Sequence, residues 1–200
     1  MISLEHLSRA VLAESAQRSS DFDLNPEVKD LLPENRKLRA ASVLVPIIDR
    51  QSGLKVILTK RASNLKHHAG QVAFPGGKVE TGESDMDAAL READEEIGLP
   101  GKSVEVIGAL DIHETVTNFS VTPIVGLIPD FKPVLNAGEV EELFEVPLDF
   151  LMKPEHMRVQ ARNWQGRRRQ YYVIPYGPHY IWGATARMIK ALSDRMVQCG

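Results

Sequence analysis

Three glutamates are spaced so that a helix would carry their carboxylates on one face. Glu92, Glu95 and Glu96, the helix glutamates, stand at positions i, i+3 and i+4 of the segment 84–97. Carboxylates at these separations repel one another by about 0.2–0.5 kcal/mol per pair, a cost that a positive charge would offset. Oxygen ligands at close quarters suit a hard divalent cation, so the cluster predicts a site for Mg²⁺ or Mn²⁺. The alternative is a solvated acidic helix face.

The segment that carries these glutamates has the pattern of an amphipathic helix. Its apolar positions predict a stripe that faces the core, formed by Met86, Ala89, Leu90, Ala93 and Ile97. Gly98 and Pro100 are typical residues just beyond the end of a helix. We therefore expect the helix glutamates to point away from the core. We expect Arg91 to hold neighbouring carboxylates such as Glu83, the alternative being a weak surface ion pair.

Fixed residues around this helix match the motif of one enzyme family at every position. The matching residues are Gly77, Glu83, Arg91, Glu92, Glu95, Glu96 and Gly98, with Ala93 and Leu99 in the two apolar slots. The stretch thus resembles the box of the Nudix hydrolases, G-x5-E-x7-R-E-U-x-E-E-x-G-U, in which U is apolar. The resemblance implies an enzyme that uses Mg²⁺ or Mn²⁺ to hydrolyse a phosphoanhydride bond in a small nucleoside diphosphate derivative.

The resemblance also implies roles for individual residues. The helix glutamates would bind the metal, and a loop at Gly76 and Gly77 would let the backbone approach the pyrophosphate closely. A metal held there would neutralise phosphate oxygens and lower the pKa of an attacking water. A nearby carboxylate would act as general base. Glu92, Glu96 and Glu139 all qualify, the last in a predicted loop outside the motif, and the sequence does not choose among them.

A second pattern lies upstream of the motif, in residues 57–77. These residues read I-L-T-K-R-A-S-N-L-K-H-H-A-G-Q-V-A-F-P-G-G. They resemble the signature of the coenzyme A pyrophosphatase branch, L-L-T-x-R-[SA]-x3-R-x3-G-x3-F-P-G-G, and residues 180–188 resemble the closing helix of that branch. Ile57 replaces the first Leu, and Lys66 replaces the second Arg, which keeps the charge but loses the planar fork. The resemblance implies coenzyme A or an acyl-coenzyme A as substrate, giving 3′,5′-ADP and 4′-phosphopantetheine or its acyl derivative.

Basic residues in this block are the predicted phosphate contacts. Arg61, Lys66 and His68, with His67 beside them, stand a few residues before the catalytic glycines. There they would meet a phosphate of the substrate, such as the 3′-phosphate that distinguishes coenzyme A. The alternative is an ordinary exposed loop. Arg167–Arg169, near a predicted hairpin turn, are interpreted as a solvated tip.

The remaining pattern predicts a mixed α/β (α+β) domain, with a mixed sheet between helices and a strand–loop–helix catalytic motif. Periodicity predicts a hairpin over 41–48 and 54–59, strands near 71–74, 104–111 and 119–128, a hairpin over 157–174 that turns at 163–166, and helices over 3–18, 84–97 and 182–197. Residues 39–200 are predicted to form the Nudix domain. Residues 1–38 are predicted to supply an N-terminal helix and a segment that wraps the surface.

Composition and charge narrow the function further. A chain of 200 residues with 43% hydrophobic and 26% charged residues is typical of one globular domain. A net charge of −3 gives no basic footprint for nucleic acid. Without an apolar run of membrane-spanning length or a signal-peptide pattern, we expect a cytoplasmic protein with no membrane partner. The apolar face of the N-terminal helix would either cap the core or pair two subunits into a homodimer.

Two other functions remain open. The first is a broader Nudix hydrolase that acts on ADP-ribose, dinucleotides or modified nucleoside triphosphates, since one fold hosts many substrates. The second is a catalytically silent Nudix module that binds a nucleotide or a partner. The intact helix glutamates argue against the silent module, because a binding module need not keep an acidic helix face. Residues 57–77 favour coenzyme A over the broader substrates.

Overall fold

The computed structural model describes residues 1–14, 19–29, 32–33, 35–164 and 166–200. Its helices are α1 (Leu4–Leu12), α2 (Pro26–Lys29), α3 (Asp85–Ile97), α4 (Leu148–Leu151) and α5 (Ala184–Gln198). The helices predicted over 84–97 and 182–197 are confirmed as α3 and α5, but residues 180–182 of the segment that resembles a closing helix form a strand. The helix predicted over 3–18 is present as α1 but ends at Leu12, because Ala13 has an extended backbone, and residues 15–18 lie outside the described residues. No helix in the described ranges is long and apolar enough to cross a membrane.

A mixed sheet lies at the centre of the fold. Its strands are β1 (Ser19–Ser20), β2 (Arg39–Arg50), β3 (Gly53–Arg61), β4 (Val72–Ala73), β5 (Gly76–Lys78), β6 (Glu105–Ala109), β7 (His113–Glu114), β8 (Phe119–Ile128) and β9 (Val140–Pro147). The main path runs β1-β7-β8-β2-β3-β4, while β5 pairs with β2, β6 with β8, and β9 with β3. Strands β2 and β8 run parallel, whereas β2 and β3 form the predicted antiparallel hairpin.

A smaller sheet stands beside the main one. Its antiparallel strands are β10 (Arg158–Trp164), β11 (Arg167–Tyr176) and β12 (His179–Trp182). Strands β10 and β11 confirm the hairpin predicted over 157–174, although Gln165 of its turn lies outside the described residues. Strand β12 contacts β4 and leads through Gly183 into α5, so the small sheet lies close to the start of the catalytic motif.

Helices cover both faces of the main sheet. Successive side chains of a strand point to opposite faces, so Leu44 of β2 packs toward Ile97 of α3 while Val45 packs toward α1, α4 and α5. A fully buried aliphatic side chain of this kind contributes about 1.5–3 kcal/mol relative to an exposed one. The predicted fold class, a mixed sheet between helices, is confirmed.

Helix α1 caps the core of its own chain. Leu7, Ala10 and Val11 are buried, and Nη1 of Arg195 in α5 donates to the carbonyl of Val11 at 3.0 Å. Leu12, at 67% exposure, is left to solvent. Of the two roles that the sequence allowed for this helix, capping the core and pairing two subunits, the structure has the first. The homodimer and the domain boundary after residue 38 stay predictions.

Several strands differ from the sequence-based prediction: β1, β7 and β12 were not predicted, and β5 and β9 differ next to the site. The loop predicted at Gly76 and Gly77 is strand β5, which pairs with residues 41–43 of β2, and the loop instead spans 79–84. Strand β9 was not predicted at all. Its glutamates interrupt the apolar alternation, and it forms because it pairs along the length of β3.

Candidate active site

Helix α3 begins and ends at residues that satisfy its free backbone groups. At its start, Oγ of Ser84 accepts a hydrogen bond from the N–H of Asp87 at 3.1 Å. At its end, Gly98 adopts the left-handed conformation with φ 68°, and its N–H donates to the carbonyl of Asp94 at 2.9 Å. The helix packs on β2 and β5, so strand, loop and helix form the catalytic motif.

The helix glutamates differ widely in exposure. The side chain of Glu95 is 57% exposed, that of Glu92 16% and that of Glu96 3%. The prediction that all three point away from the core is wrong for Glu96, because β5 covers its side of the helix. Met86, predicted to face the core, is 43% exposed, and Ala88 is buried instead. The buried face of α3 therefore includes Ala88 and Glu96 and leaves out Met86, so it is rotated about the helix axis relative to the predicted stripe.

Arg91 holds carboxylates from both ends of the motif. Its Nε and Nη2 donate to the two oxygens of Glu83 at 2.9 and 3.1 Å. Its Nη1 donates to Oε1 of Glu92 at 2.9 Å and to Oε2 of Glu95 at 3.3 Å. These bonds lower the pKa of Glu83. A planar guanidinium can bind several acceptors in this way, which a lysine cannot.

The surroundings of Glu96 would offset the negative charge of its ionised carboxylate only in part. Its Oε2 accepts from the N–H of Gly76 at 3.3 Å, and its Oε1 lies 3.6 Å from Nη1 of Arg61. Burial raises the pKa of Glu96 to about 7 against both of these contacts, and the charges of Glu92 and Glu139 raise it further. Burial also raises the pKa of Glu92. The site therefore has an excess of buried carboxylate.

Gly76 and Gly77 allow the backbone of β5 to lie against its neighbours. A Cβ on Gly76 would lie 2.4 Å from the carbonyl oxygen of Ser42 and 2.6 Å from Cα of Val43. A Cβ on Gly77 would lie 2.2 Å from Oε1 of Glu92. Glycine at 76 therefore permits the pairing of β5 with β2, and glycine at 77 leaves room for a carboxylate of the site.

Glu139 lies at the same site as the helix glutamates. It lines an open groove together with Glu92 and Glu96. Its carbonyl accepts from the N–H of Ala62 at 2.8 Å, and the N–H of Asn136 in the same loop donates to the carbonyl of Glu96 at 3.0 Å. These backbone bonds hold the loop against α3 and the end of β3. The sequence indicated a loop glutamate, and only the tertiary structure brings it to the groove.

The donor set of this groove fits a hard divalent cation. Glu92, Glu96 and Glu139 line the groove and offer carboxylate oxygens, the ligands that Mg²⁺ and Mn²⁺ prefer, and the exposed Glu95 shares Arg91 with Glu92. In the described parts of the chain, no three acidic, histidine or cysteine side chains already converge on one centre. Arg91 instead holds two of the glutamates. Burial, and to a smaller extent the neighbouring carboxylates, raise the pKa values of Glu92 and Glu96, and a bound cation would stabilise their ionised forms.

A cavity of about 490 Å³ adjoins the groove. The two share the wall residues Arg61, Gly76, Gly77 and Lys78. Apolar side chains from both sheets and from α5 form much of the cavity, including Val43, Phe74 and Met188. Its charged lining has one acidic residue, Asp21, and five basic residues, Arg61, Lys78, Arg162, Arg169 and Arg187. In a chain of net charge −3, this local excess of positive charge suits an anionic ligand.

The predicted substrate residues of the upstream block separate into two groups. Arg61 and His68 line the cavity, and His68 is held by a 2.9 Å hydrogen bond between its Nδ1 and Oε1 of Gln71. Lys66 and His67 are exposed on the loop and line neither the cavity nor the groove. The structure therefore brings Arg61 and His68 to the site and leaves Lys66 outside it.

The arginines of the β10–β11 hairpin also fall into two groups, those that line the cavity and those that do not. The interpretation of Arg167–Arg169 as a solvated tip holds for Arg167 and Arg168, which are exposed. It is wrong for Arg169, which is half-buried and lines the cavity. Sequence reasoning also missed Arg162, which lines the cavity from β10. No local signal was available, because a turn at 163–166 would set residue 162 opposite 167, whereas the observed register sets Arg162 opposite Arg169.

The fold and the carboxylate-bearing helix define a class of enzyme, and comparison with known proteins identifies it. Residues 38–170 match the NUDIX domain, and the chain belongs to the Nudix hydrolase family. Members of this family use divalent metals such as Mg²⁺ or Mn²⁺ to hydrolyse pyrophosphate bonds in small nucleoside diphosphate derivatives.

Individual relatives agree with this assignment. The chain is 42% identical over 158 residues to the uncharacterized Nudix hydrolase NudL of Cronobacter sakazakii, covering 78% of this chain and 81% of the relative. It is 38% identical over 172 residues to NudL of Citrobacter koseri, covering 85% and 88%. The crystal structure of a MutT protein from Methanosarcina mazei has a TM-score of 0.52 at 19% identity, covering 83% of this chain and 97% of that one, and shares the fold.

Proposed function

We propose that this protein is a coenzyme A diphosphatase, which cleaves coenzyme A or acyl-coenzyme A to 3′,5′-ADP and 4′-phosphopantetheine or its acyl derivative. The observation that carries the proposal is the position of residues 57–77, the block that resembles the coenzyme A branch. This block places Arg61 beside Glu96 and also supplies His68 and Gln71 to the wall of the cationic cavity. A diphosphate bound at the groove would therefore extend one half of its substrate into that cavity.

Residues of the groove would position the diphosphate for cleavage. Glu92, Glu95 and Glu96 would hold Mg²⁺ or Mn²⁺, which supplies charge neutralisation and an acidified water when bound. Arg61 faces the same groove and would pair with an oxygen of the diphosphate. Arg91 holds Glu92 and Glu95, which restricts the positions from which their carboxylates would bind the cation.

We assign the general base to Glu139. It lines the groove, it forms no ion pair with the described residues, and it leaves the helix glutamates to the metal. A positioned base contributes about 10²–10⁴-fold. Glu139→Gln should therefore lower kcat by about 100-fold while Mn²⁺ affinity, measured by titration, changes by less than about threefold. Glu141→Gln, an exposed neighbour, serves as control. An equal loss of Mn²⁺ affinity would identify Glu139 as a metal ligand instead.

Product analysis across a panel of substrates tests the proposed function. Coenzyme A should yield 3′,5′-ADP and 4′-phosphopantetheine, identified by mass spectrometry. Its kcat/KM should exceed that of dephospho-coenzyme A by about 10–100-fold, because a charge-assisted contact to the 3′-phosphate contributes about 1.5–3 kcal/mol. Faster hydrolysis of ADP-ribose than of either would contradict the proposal and favour the broader Nudix enzyme. Metal-supplemented protein that cleaves no member of the panel would favour the silent binding module.

We place this enzyme in the cytoplasm and propose a homodimer. Because α1 buries Leu7, Ala10 and Val11 within its own chain, a dimer would have to use other surface, for which exposed Leu12 is available. Light scattering on the full chain should give twice the mass of one chain. The mass of a single chain at micromolar concentration would contradict the dimer and leave the enzymatic proposal unaffected.

A further inference from the structure

Two arginines lie directly opposite each other in the small sheet. Arg162 of β10 is the register partner of Arg169 of β11, and both line the cavity. Like charges placed directly opposite in an antiparallel pair destabilise it. Burial lowers the pKa of Arg169, the charge of Asp21 raises it, and the charge of Arg162 lowers it further. An anion bound between the two guanidinium groups would replace their repulsion by attraction.

Aromatic rings stand beside this arginine pair. The Cζ atom of Arg162 lies 4.4 Å from the ring centroid of Trp182 and 5.7 Å from that of Tyr171. The two rings meet edge to face with their centroids 5.4 Å apart, and both residues line the cavity. A heteroaromatic base can stack on surfaces of this kind without a specific hydrogen-bond pattern. An anion site and a stacking surface are therefore combined in one wall.

A third arginine is fixed at the cavity wall by α5. Nε and Nη2 of Arg187 donate to Oδ2 of Asp23 at 2.8 and 2.6 Å. Its Nη1 is buried and has no hydrogen-bond partner among the residues that the structure describes. This nitrogen is a donor that a ligand in the cavity can use, and leaving it without an acceptor is costly.

We propose that this wall binds the 3′-phosphoadenosine half of the substrate, with the 3′-phosphate between Arg162 and Arg169 and the base against Tyr171 and Trp182. The inference rests on the proposed function and names the residues that select its substrate. It assigns the 3′-phosphate to the small sheet rather than to Lys66, which lies on neither wall. The pantetheine arm carries no charge, so it would offer no counter-charge to the cationic lining of the cavity.

Binding of two product-like nucleotides to the full chain tests this inference. Neither 3′,5′-ADP nor 5′-AMP contains an anhydride, so calorimetric titration measures recognition without hydrolysis. The wild-type protein should bind 3′,5′-ADP at least about tenfold more tightly than 5′-AMP. Arg162→Gln and Arg169→Gln should each reduce this ratio to below about threefold and leave 5′-AMP affinity within about twofold. Arg168→Gln removes the same charge from an exposed position of β11 and should keep the wild-type ratio.

Several outcomes would overturn the inference. These are equal wild-type affinities for both nucleotides, an unchanged ratio in Arg162→Gln, or a selective loss of 4′-phosphopantetheine binding in that variant. Arg162 is exposed, so its variant decides the question if Arg169→Gln does not fold by circular dichroism. Selective 3′,5′-ADP binding by a protein that does not cleave coenzyme A would support this inference and overturn the proposed function. Cleavage of coenzyme A by a protein that binds 3′,5′-ADP and 5′-AMP equally would support the proposed function and overturn this inference.

Discussion

Glu96 combines burial with negative charge, two properties that oppose each other in a folded protein. It is 2% exposed, and its burial raises its pKa to about 7. A buried carboxylate without full compensation costs stability, and such costs are typical of functional sites. A divalent cation would provide the compensation that Arg61 and the N–H of Gly76 provide only in part. The proposed metal binding would account for this buried carboxylate, whereas folding alone would not require it.

Two single variants, each of which removes the charge of one helix glutamate, test this explanation. Glu95→Gln and Glu96→Gln should each lower kcat/KM more than tenfold, about 1.4 kcal/mol or more. In metal-free protein above pH 7, the Tm of Glu96→Gln should equal or exceed that of wild type, because a neutral amide is easier to bury. Asp94→Asn removes an exposed charge from the same helix and should change neither quantity. Wild-type rates in both Gln variants would mean that these two glutamates do not hold the catalytic metal.

At the scale of elements, local sequence patterns predicted the bounds of helix α3 better than the strands and the burial around it. The bounds of α3 agree with the sequence because Ser84 and Gly98 are strong end signals that act locally. The burial of Glu96 and the strand at Gly76 and Gly77 were not predicted. Both depend on β5 pairing with β2, a contact between segments far apart in the chain. The arginine wall depends in the same way on the register of β10 and β11.

The two glycines of β5 should have separable effects when replaced by alanine. Gly76→Ala places a Cβ against the backbone of Ser42 and Val43, which cannot move cheaply, so unfolding should become easier by about 1–3 kcal/mol. Gly77→Ala places a Cβ against the flexible end of Glu92, so activity should fall more than tenfold with little change in Tm. Denaturant unfolding and steady-state kinetics on both variants measure this. A reversed pattern would mean that β5 positions no catalytic group.

At the scale of the whole molecule, the cavity is assembled from segments that no local pattern connects. Its lining comes from the N-terminal segment, the main sheet, the small sheet and α5. The sequence predicted the carboxylate site, because the motif that encodes it spans residues 77–99. It did not predict the cavity, because residues as distant as Asp21 and Arg187 meet only after folding. The lining of the cavity was correspondingly harder to predict than the carboxylates of the motif.

The N-terminal wall of this cavity should be sensitive to acid through Asp21. Its Oδ1 accepts from Nε2 of His113 at 3.2 Å, and its Oδ2 accepts from the N–H of Val116 at 3.1 Å. Although burial raises the pKa of Asp21, these bonds outweigh it and leave the pKa below its usual value. The stabilisation is thus present above the ordinary aspartate pKa of about 3.9 and lost as pH falls through the lower folded value.

Asp21→Asn should consequently unfold at lower denaturant concentration than wild type near neutral pH. The difference should shrink as the pH falls below about 4, where the wild-type carboxylate becomes protonated as well. Asp94→Asn, which removes an exposed charge outside this segment, should show no such convergence. A difference in unfolding free energy that is the same at acid and neutral pH would rule out this role for the Asp21 carboxylate.

Metal dependence is the most direct test of the central claim, that carboxylates on α3 hold the cation that makes the anhydride cleavable. Protein stripped with EDTA and shown to be metal-free by elemental analysis should lose cleavage of coenzyme A by more than about 100-fold. Added Mg²⁺ or Mn²⁺ should restore it in wild type, and far less in Glu96→Gln. Full release of 3′,5′-ADP by verified metal-free protein would contradict the account.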